Sequence, residues 1–160
     1  MKIGVVSDTH SRELPKKMLD DFRGVDLIIH AGDFCSVADF KKIQALQEVK
    51  GVYGNMDEQG IRQIFPQKEI LRLGGFTIGV FHGEGAPASI LEKVKARFTG
   101  DKVDCIIFGH SHRAFNEKIG EVLYFNPGSP NDPVFAPYRS YGILEIKGAQ
   151  VDGTIIKLKE

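Results

Sequence analysis

Short apolar runs alternate with amphipathic stretches along the first two thirds of the chain, and their spacing predicts its elements. Ile3-Gly4-Val5-Val6 is apolar on both faces and too short for a helix, the pattern of a strand inside a parallel sheet. Leu14, Met18, Leu19 and Phe22 fall at helical spacing, with Pro15 near the first turn and Gly24 past the end, which predicts a helix from Leu14 to Phe22. A strand from Asp26 to His30 follows, then a helix capped by Ser36 with Val37, Phe40, Ile43 and Leu46 on its inner stripe. Val49 to Tyr53 reads as a third strand, and Ile70 to Leu73 with Phe76 to Phe81 as a hairpin turning at Gly74-Gly75. Pro87 opens a helix carrying Ile90, Leu91, Val94 and Phe98, and Val103 to Phe108 is a further strand. Beyond it, runs near Ala114 to Lys118, Val122 to Phe125, Tyr141 to Ile146 and Val151 to Leu158 predict an antiparallel meander. The βαβα alternation gives an α/β class.

Polar residues collect where the predicted strands stop. Asp8 and His10 follow the first, Asp33 the second and Asn55 the third, while His82 ends the hairpin and Gly109-His110-Ser111-His112 ends the Val103 run. Ligands of open α/β sheets bind beyond the carboxyl ends of strands, so these residues are expected to converge. Glycines at 32, 54, 83 and 109 stand beside them and would permit tight turns close to a bound ion. His30 lies within its strand and reads as core or as support for a ligand.

Composition narrows the chemistry. The 160 residues suffice for one domain, 1–160, and 21 basic against 21 acidic side chains give no global field for long nucleic acid or anionic membrane. The apolar start is broken at Ser7-Asp8, too soon for a signal peptide or a membrane span, so a cytoplasmic location is expected. Two distant cysteines, Cys35 and Cys105, fit reduced thiols, with Cys35 read as a buried hydrophobe rather than a metal ligand. Lys93, Lys95 and Arg97 read as the wet face of their helix, and a homo-oligomer is compatible with the sequence.

Two carboxylates, one amide and four imidazoles exceed what one tetrahedral ion takes, so seven ligands suggest two metals. Mixed nitrogen and oxygen donors suit borderline ions such as manganese, iron, zinc or cobalt better than calcium or magnesium, and two manganese ions are expected, with nickel, cobalt, zinc or iron as alternatives. Two such ions with a hydroxide between them would attack phosphorus in line and would attract a phosphate ester.

Read in order, Asp-x-His, Gly-Asp, Gly-Asn-x-Asp, His-Gly and Gly-His-x-His resemble the signature of the calcineurin-like metallophosphoesterases, from Asp8 to His112. The small size, the Asn126-Pro127-Gly128-Ser129 turn and the strand-rich tail resemble the compact single-domain prokaryotic phosphodiesterases of that superfamily. The resemblance implies two packed mixed β-sheets flanked by helices, a four-layer sandwich. It also implies Asp8, His10 and His112 on one metal and Asn55, His82 and His110 on the other, with Asp33 bridging. Catalysis would then fall to Asp33, Asn55 and His82 through metal-bound hydroxide and phosphate positioning, with Asp57 and Asn126 as supports behind the ligands.

One position departs from the broader superfamily, where Gly-Asn-His is frequent: here it is Met56. A thioether donates no proton, which favours small diesters or activated esters over unactivated monoesters. Asp57 either orients a ligand or caps the following turn, Ser129 is turn chemistry first, and Arg113 reads as a solvated side chain. A non-catalytic scaffold of the same fold, as the retromer subunit similar to this family is regarded, is the competing class. A phosphomonoesterase or a nuclease for short oligonucleotides is the other alternative. Seven coordinating residues weigh against the scaffold.

Overall fold

Ile3 and Val5 in the first strand are fully buried, and so is Val6 on the opposite face. That double burial places β1 (Lys2–Val6) at the centre of a sheet, as its run of apolar residues requires. In the computed structural model, which describes residues 1–159, β1 pairs in parallel with β2 (Leu27–His30). It pairs antiparallel with β9 (Ser140–Lys147). The sheet is completed by β3 (Val49–Gly51), parallel to β2, and by β10 (Gln150–Lys157), in the order β10-β9-β1-β2-β3. The second sheet has the order β4-β5-β6-β8-β7, from β4 (Lys68–Leu73), β5 (Phe76–Phe81), β6 (Cys105–Ile107), β7 (Phe115–Ile119) and β8 (Val122–Asn126). Strands β5, β6 and β8 are parallel.

Between the sheets lies one apolar layer, in which Ile3, Val5 and Ile29 meet Ile78, Val80, Ile107 and Phe125. Outside the first sheet, α1 (Lys16–Phe22), α2 (Val37–Gln44) and α3 (Gln59–Ile64) bury Met18, Phe22, Phe40, Ile43 and Ile61 against Val6 and Ile28. Outside the second, α4 (Ile90–Arg97) buries Ile90 and Val94 against Phe81 and Ile106. The result is the helix, sheet, sheet, helix sandwich expected from the motifs. Among the described residues no helix is long and apolar enough to cross a membrane.

The tail differs from the expected meander. β7 and β8 form a hairpin in the second sheet, whereas β9 and β10 return to the first, where β9 covers the free edge of β1. Alternation along each strand specifies pairing but not which sheet supplies the partner. Several bounds also move. α1 starts at Lys16, because Pro15 has extended backbone (ψ 133°) and stands outside the helix as its cap. A 3-10 turn at Pro87–Ser89 precedes α4, and β3 stops at Gly51.

Candidate metal centre

Parallel strands from both sheets point their carboxyl ends at one edge, and the loops leaving β1, β2, β5 and β6 carry Asp8 with His10, Asp33, His82, and His110 with His112. The loops are sharply turned. Asp8, His10, Asp33, His110 and His112 all have φ between 48° and 67°, in the left-handed region that L residues avoid. Holding a side chain there costs on the order of 1–3 kcal/mol, and such costs concentrate at functional sites. At Gly54 and Gly109 the need is space rather than φ. A Cβ would lie 2.2 Å from Asp33 Oδ1 at Gly54, and 1.9 Å from Ser7 Oγ at Gly109.

Asp8, Asp33, His82 and His112 each have one polar atom tied down and the other turned toward neighbouring donors. Asp8 Oδ2 accepts from the Ser7 hydroxyl (2.7 Å) and from the His110 backbone N–H (3.0 Å). Its Oδ1 is buried without a hydrogen-bond partner, 3.2 Å from His112 Nε2, 3.6 Å from His10 Nε2 and 3.8 Å from His82 Nε2. Asp33 Oδ1 accepts from the Met56 N–H (2.9 Å), while Oδ2 lies 3.3 Å from His82 Nε2 and 3.7 Å from His10 Nε2. His82 donates from Nδ1 to the Ala31 carbonyl (2.7 Å), which leaves Nε2 buried and unpartnered. His112 Nδ1 is bonded to Asp132 Oδ2, and His110 Nε2 to the Gly85 carbonyl (3.0 Å). Fixing one ring nitrogen so that the other presents a lone pair is how proteins orient metal-binding imidazoles.

Two groups of donors result, Asp8 with His10 and His112, and Asp8 with Asp33 and His82. His10 Nε2 and His112 Nε2 stand 3.1 Å apart. Tetrahedral ligands with bonds of about 2.0–2.1 Å stand about 3.3–3.4 Å apart, so this pair fits a shared ion. Orphaned polar atoms in a buried site are costly unless something binds them, and a divalent cation meets that need for Asp8 Oδ1 and His82 Nε2 together. His110 lies outside both groups, its ring packed edge-on to His82 at 5.2 Å between centroids. Asn55 is exposed and lines a cavity of about 230 Å³ beside His82.

The charges are mutually supporting. Burial disfavours ionised Asp8, but the neighbouring His82, His10 and His112 imidazoles hold its carboxyl well below the usual range. Burial opposes protonation of His82, yet Asp8 and Asp33 push it up to about 9; His112, with Asp8 and Asp132 beside it, also reaches about 9. Cys35 Sγ lies 3.6 Å from His10 Nδ1, and burial with the nearby carboxylates pushes its thiol up to about 11, far from the thiolate a metal takes.

Residues 1–149 match the calcineurin-like phosphoesterase superfamily domain. The chain belongs to that superfamily. As a calcineurin-like phosphoesterase it is 37% identical to a probable metallophosphoesterase of Methanocaldococcus jannaschii, over all of this chain and 83% of the relative. It is 33% identical to a phosphodiesterase of the same organism, over 80% of this chain and 83% of that one. Among solved structures, wild-type Vps29 of Entamoeba histolytica complexed with zinc superposes with a TM-score of 0.79 at 25% identity, covering 98% of this chain and 99% of that one.

Around the donors, this phosphoesterase has supports that motif reading reached only in part. Asp57 accepts from three backbone N–H groups, those of Asp33 (2.9 Å), Cys35 (2.7 Å) and Gly54 (2.7 Å). Asn126 donates to the Gly109 carbonyl and to Ser111 Oγ, both at 3.1 Å. Ser129 Oγ donates to the Asp8 carbonyl (2.8 Å), and His30 Nε2 meets Thr9 Oγ1 at 3.1 Å. Asp132 and Asn131, whose amide donates to the Thr9 carbonyl (2.9 Å), escape motif reading because they lie in an irregular stretch with no periodicity. The side chain of Arg113 is exposed, as its loop position suggests.

Proposed function

We propose that this chain is a dinuclear-metal-dependent phosphodiesterase acting on small phosphate esters, with residues 1–160 as one catalytic unit. Asp8, His10 and His112 would hold one ion and Asn55, His82 and His110 the other, with Asp33 shared. The observation that carries the reading is the pair of buried, unpartnered atoms, Asp8 Oδ1 and His82 Nε2, flanked by a carboxylate oxygen and imidazole nitrogens on both sides. The phosphodiesterase relative supports the activity, and the zinc complex of Vps29 supports metal binding by this fold.

When bound, the ions supply positive charge for the phosphoryl oxygens and bring the acidity of water near neutrality, so that hydroxide is available as nucleophile. The oxygen of water would bond to phosphorus, the bond from phosphorus to one ester oxygen would break, and the released alkoxide would take its proton from solvent water, leaving a monoester. Asp33, whose Oδ2 lies between His10 and His82, would act as the shared ligand that positions the attacking water, and the proton that water loses would pass to solvent. Asn55, exposed and lining the cavity beside His82, would donate its amide to a phosphoryl oxygen. Met56 supplies no proton to the leaving group, which favours diesters and activated esters.

The test is direct. Chelator-treated protein is assayed against matched aryl phosphate diesters and monoesters, with manganese, nickel, cobalt, zinc or iron added back. Hydrolysis restored by metal, faster on diesters, is the expected result, with manganese the most effective. No hydrolysis with any metal overturns the enzyme reading and leaves a scaffold, while a clear preference for monoesters overturns the role given to Met56.

A further inference from the structure

Three large apolar side chains of this chain, Met56 (59% exposed), Val134 (72%) and Phe135 (76%), stand in water around one cavity of about 380 Å³. His10, His112 and Arg12 line the same cavity. Isolated exposed apolar residues are ordinary, but three that converge on one concave site are a binding feature.

They are also held in register with the donors below them. Asp132 Oδ2 bonds His112 Nδ1, while its Oδ1 accepts from the backbone N–H groups of Val134 (2.8 Å) and Phe135 (3.0 Å). A single carboxylate therefore fixes both an imidazole of the centre and the loop that lifts the aromatic ring beside it. Met56, which lines the same cavity, is fixed by its own N–H to Asp33 Oδ1. Arg12, whose Nη1 donates to the Asn131 carbonyl (3.3 Å), adds a positive charge suited to an anion. The volume falls in the range of small-molecule sites, about 300–1,000 Å³, and continuity with the donors makes the occupant part of the substrate.

Resting on the phosphodiesterase reading above, we propose that this cavity selects phosphodiesters bearing a flat aromatic group, the class to which nucleoside diesters belong. Phe135 stacks on that group while Val134 and Met56 enclose it. Met56 is then a wall of the subsite as well as a missing proton donor.

Metal-loaded protein titrated calorimetrically with phenylphosphonate and with methylphosphonate tests this without turnover. Stacking on an exposed aromatic side chain predicts about tenfold tighter binding of the phenyl compound. Phe135→Ala is expected to bring the ratio close to one and Phe135→Tyr to keep it; Phe135 is exposed, so neither change threatens the core. Equal affinities in the unaltered protein overturn the aromatic subsite and leave the phosphodiesterase reading intact. Binding of neither compound overturns both. A concentration-dependent dimer that Phe135→Ala abolishes would assign the patch to a second copy of the chain and likewise overturn the subsite.

Discussion

Asp8 shows the division of labour that runs through the candidate site: one oxygen anchored to Ser7 and His110, the other buried with three imidazole nitrogens within 3.8 Å. His110 and His112 divide similarly. They stand two residues apart in one loop, yet His112 joins Asp8 and His10 while His110 turns toward His82 and Gly85. On the proposed assignment the loop would span two ion positions. His110→Ala and His112→Ala are expected to lose different ions, each falling from two bound metals toward one, which metal content by elemental analysis with zinc and manganese competition resolves. Identical losses would contradict the assignment. At position 56 the backbone is fixed by Asp33 and the side chain faces the cavity, so Met56→His puts a proton donor beside the site. A general acid contributes typically 10²–10⁴-fold, and monoester turnover is expected to rise by about tenfold or more in the metal-loaded variant. No gain, with metal content unchanged, would refute the role of Met56.

Among elements, the loops matter more than the strands they leave. Asp57 ties the loop after β2 to the loop after β3 through three backbone N–H groups, so a single side chain sets the distance between Asp33 and Gly54. Asp57→Ala strands those donors, two of them on buried residues, and is expected to cost about 2–4 kcal/mol in denaturant unfolding and to weaken metal binding. A variant as stable as the parent would show the clamp to be dispensable. The strands were legible in the sequence because β1, β2, β5 and β6 are short apolar runs with polar residues directly after them, and that same punctuation exposed Asp8, Asp33, His82 and the histidine pair. α3 was not legible, since a six-residue helix with one buried residue, Ile61, has no periodicity to read. Asp132 was hidden for a related reason: its role comes from a chain crossing between the two sheets, which local spacing does not encode.

At the scale of the whole molecule, the site couples stability to pH and to metal. Without metal, His82 and His112 hold protons up to about pH 9, against an ordinary 6.5, so their contribution to stability is full below 6.5 and lost as pH rises through 9. The depressed Asp8 contributes in the opposite sense, present above its ordinary 3.8 and lost as pH falls below it. Metals need the same imidazoles deprotonated, so their stabilising effect grows with pH. Thermal unfolding of chelator-treated protein is therefore expected to show a Tm that declines from pH 6.5 to 9, while the increment from added manganese widens over that interval. A flat metal-free profile would contradict the charge arrangement around His82.

The return of β9 to the edge of β1 has a consequence for how the protein is made. A ribosome delivers β1 first, yet its antiparallel neighbour begins at Ser140, roughly 130 residues later, on the order of 7–26 s at about 5–20 residues per second. Ser129 and Asn131, which bind the carbonyls of Asp8 and Thr9, emerge almost as late. For most of translation the nascent chain carries His10 and Asp33 with no finished cradle around them. The donors up to His112 are thus made before the residues that brace Asp8 and Thr9, and their final geometry is expected only once residues 129–147 are in place.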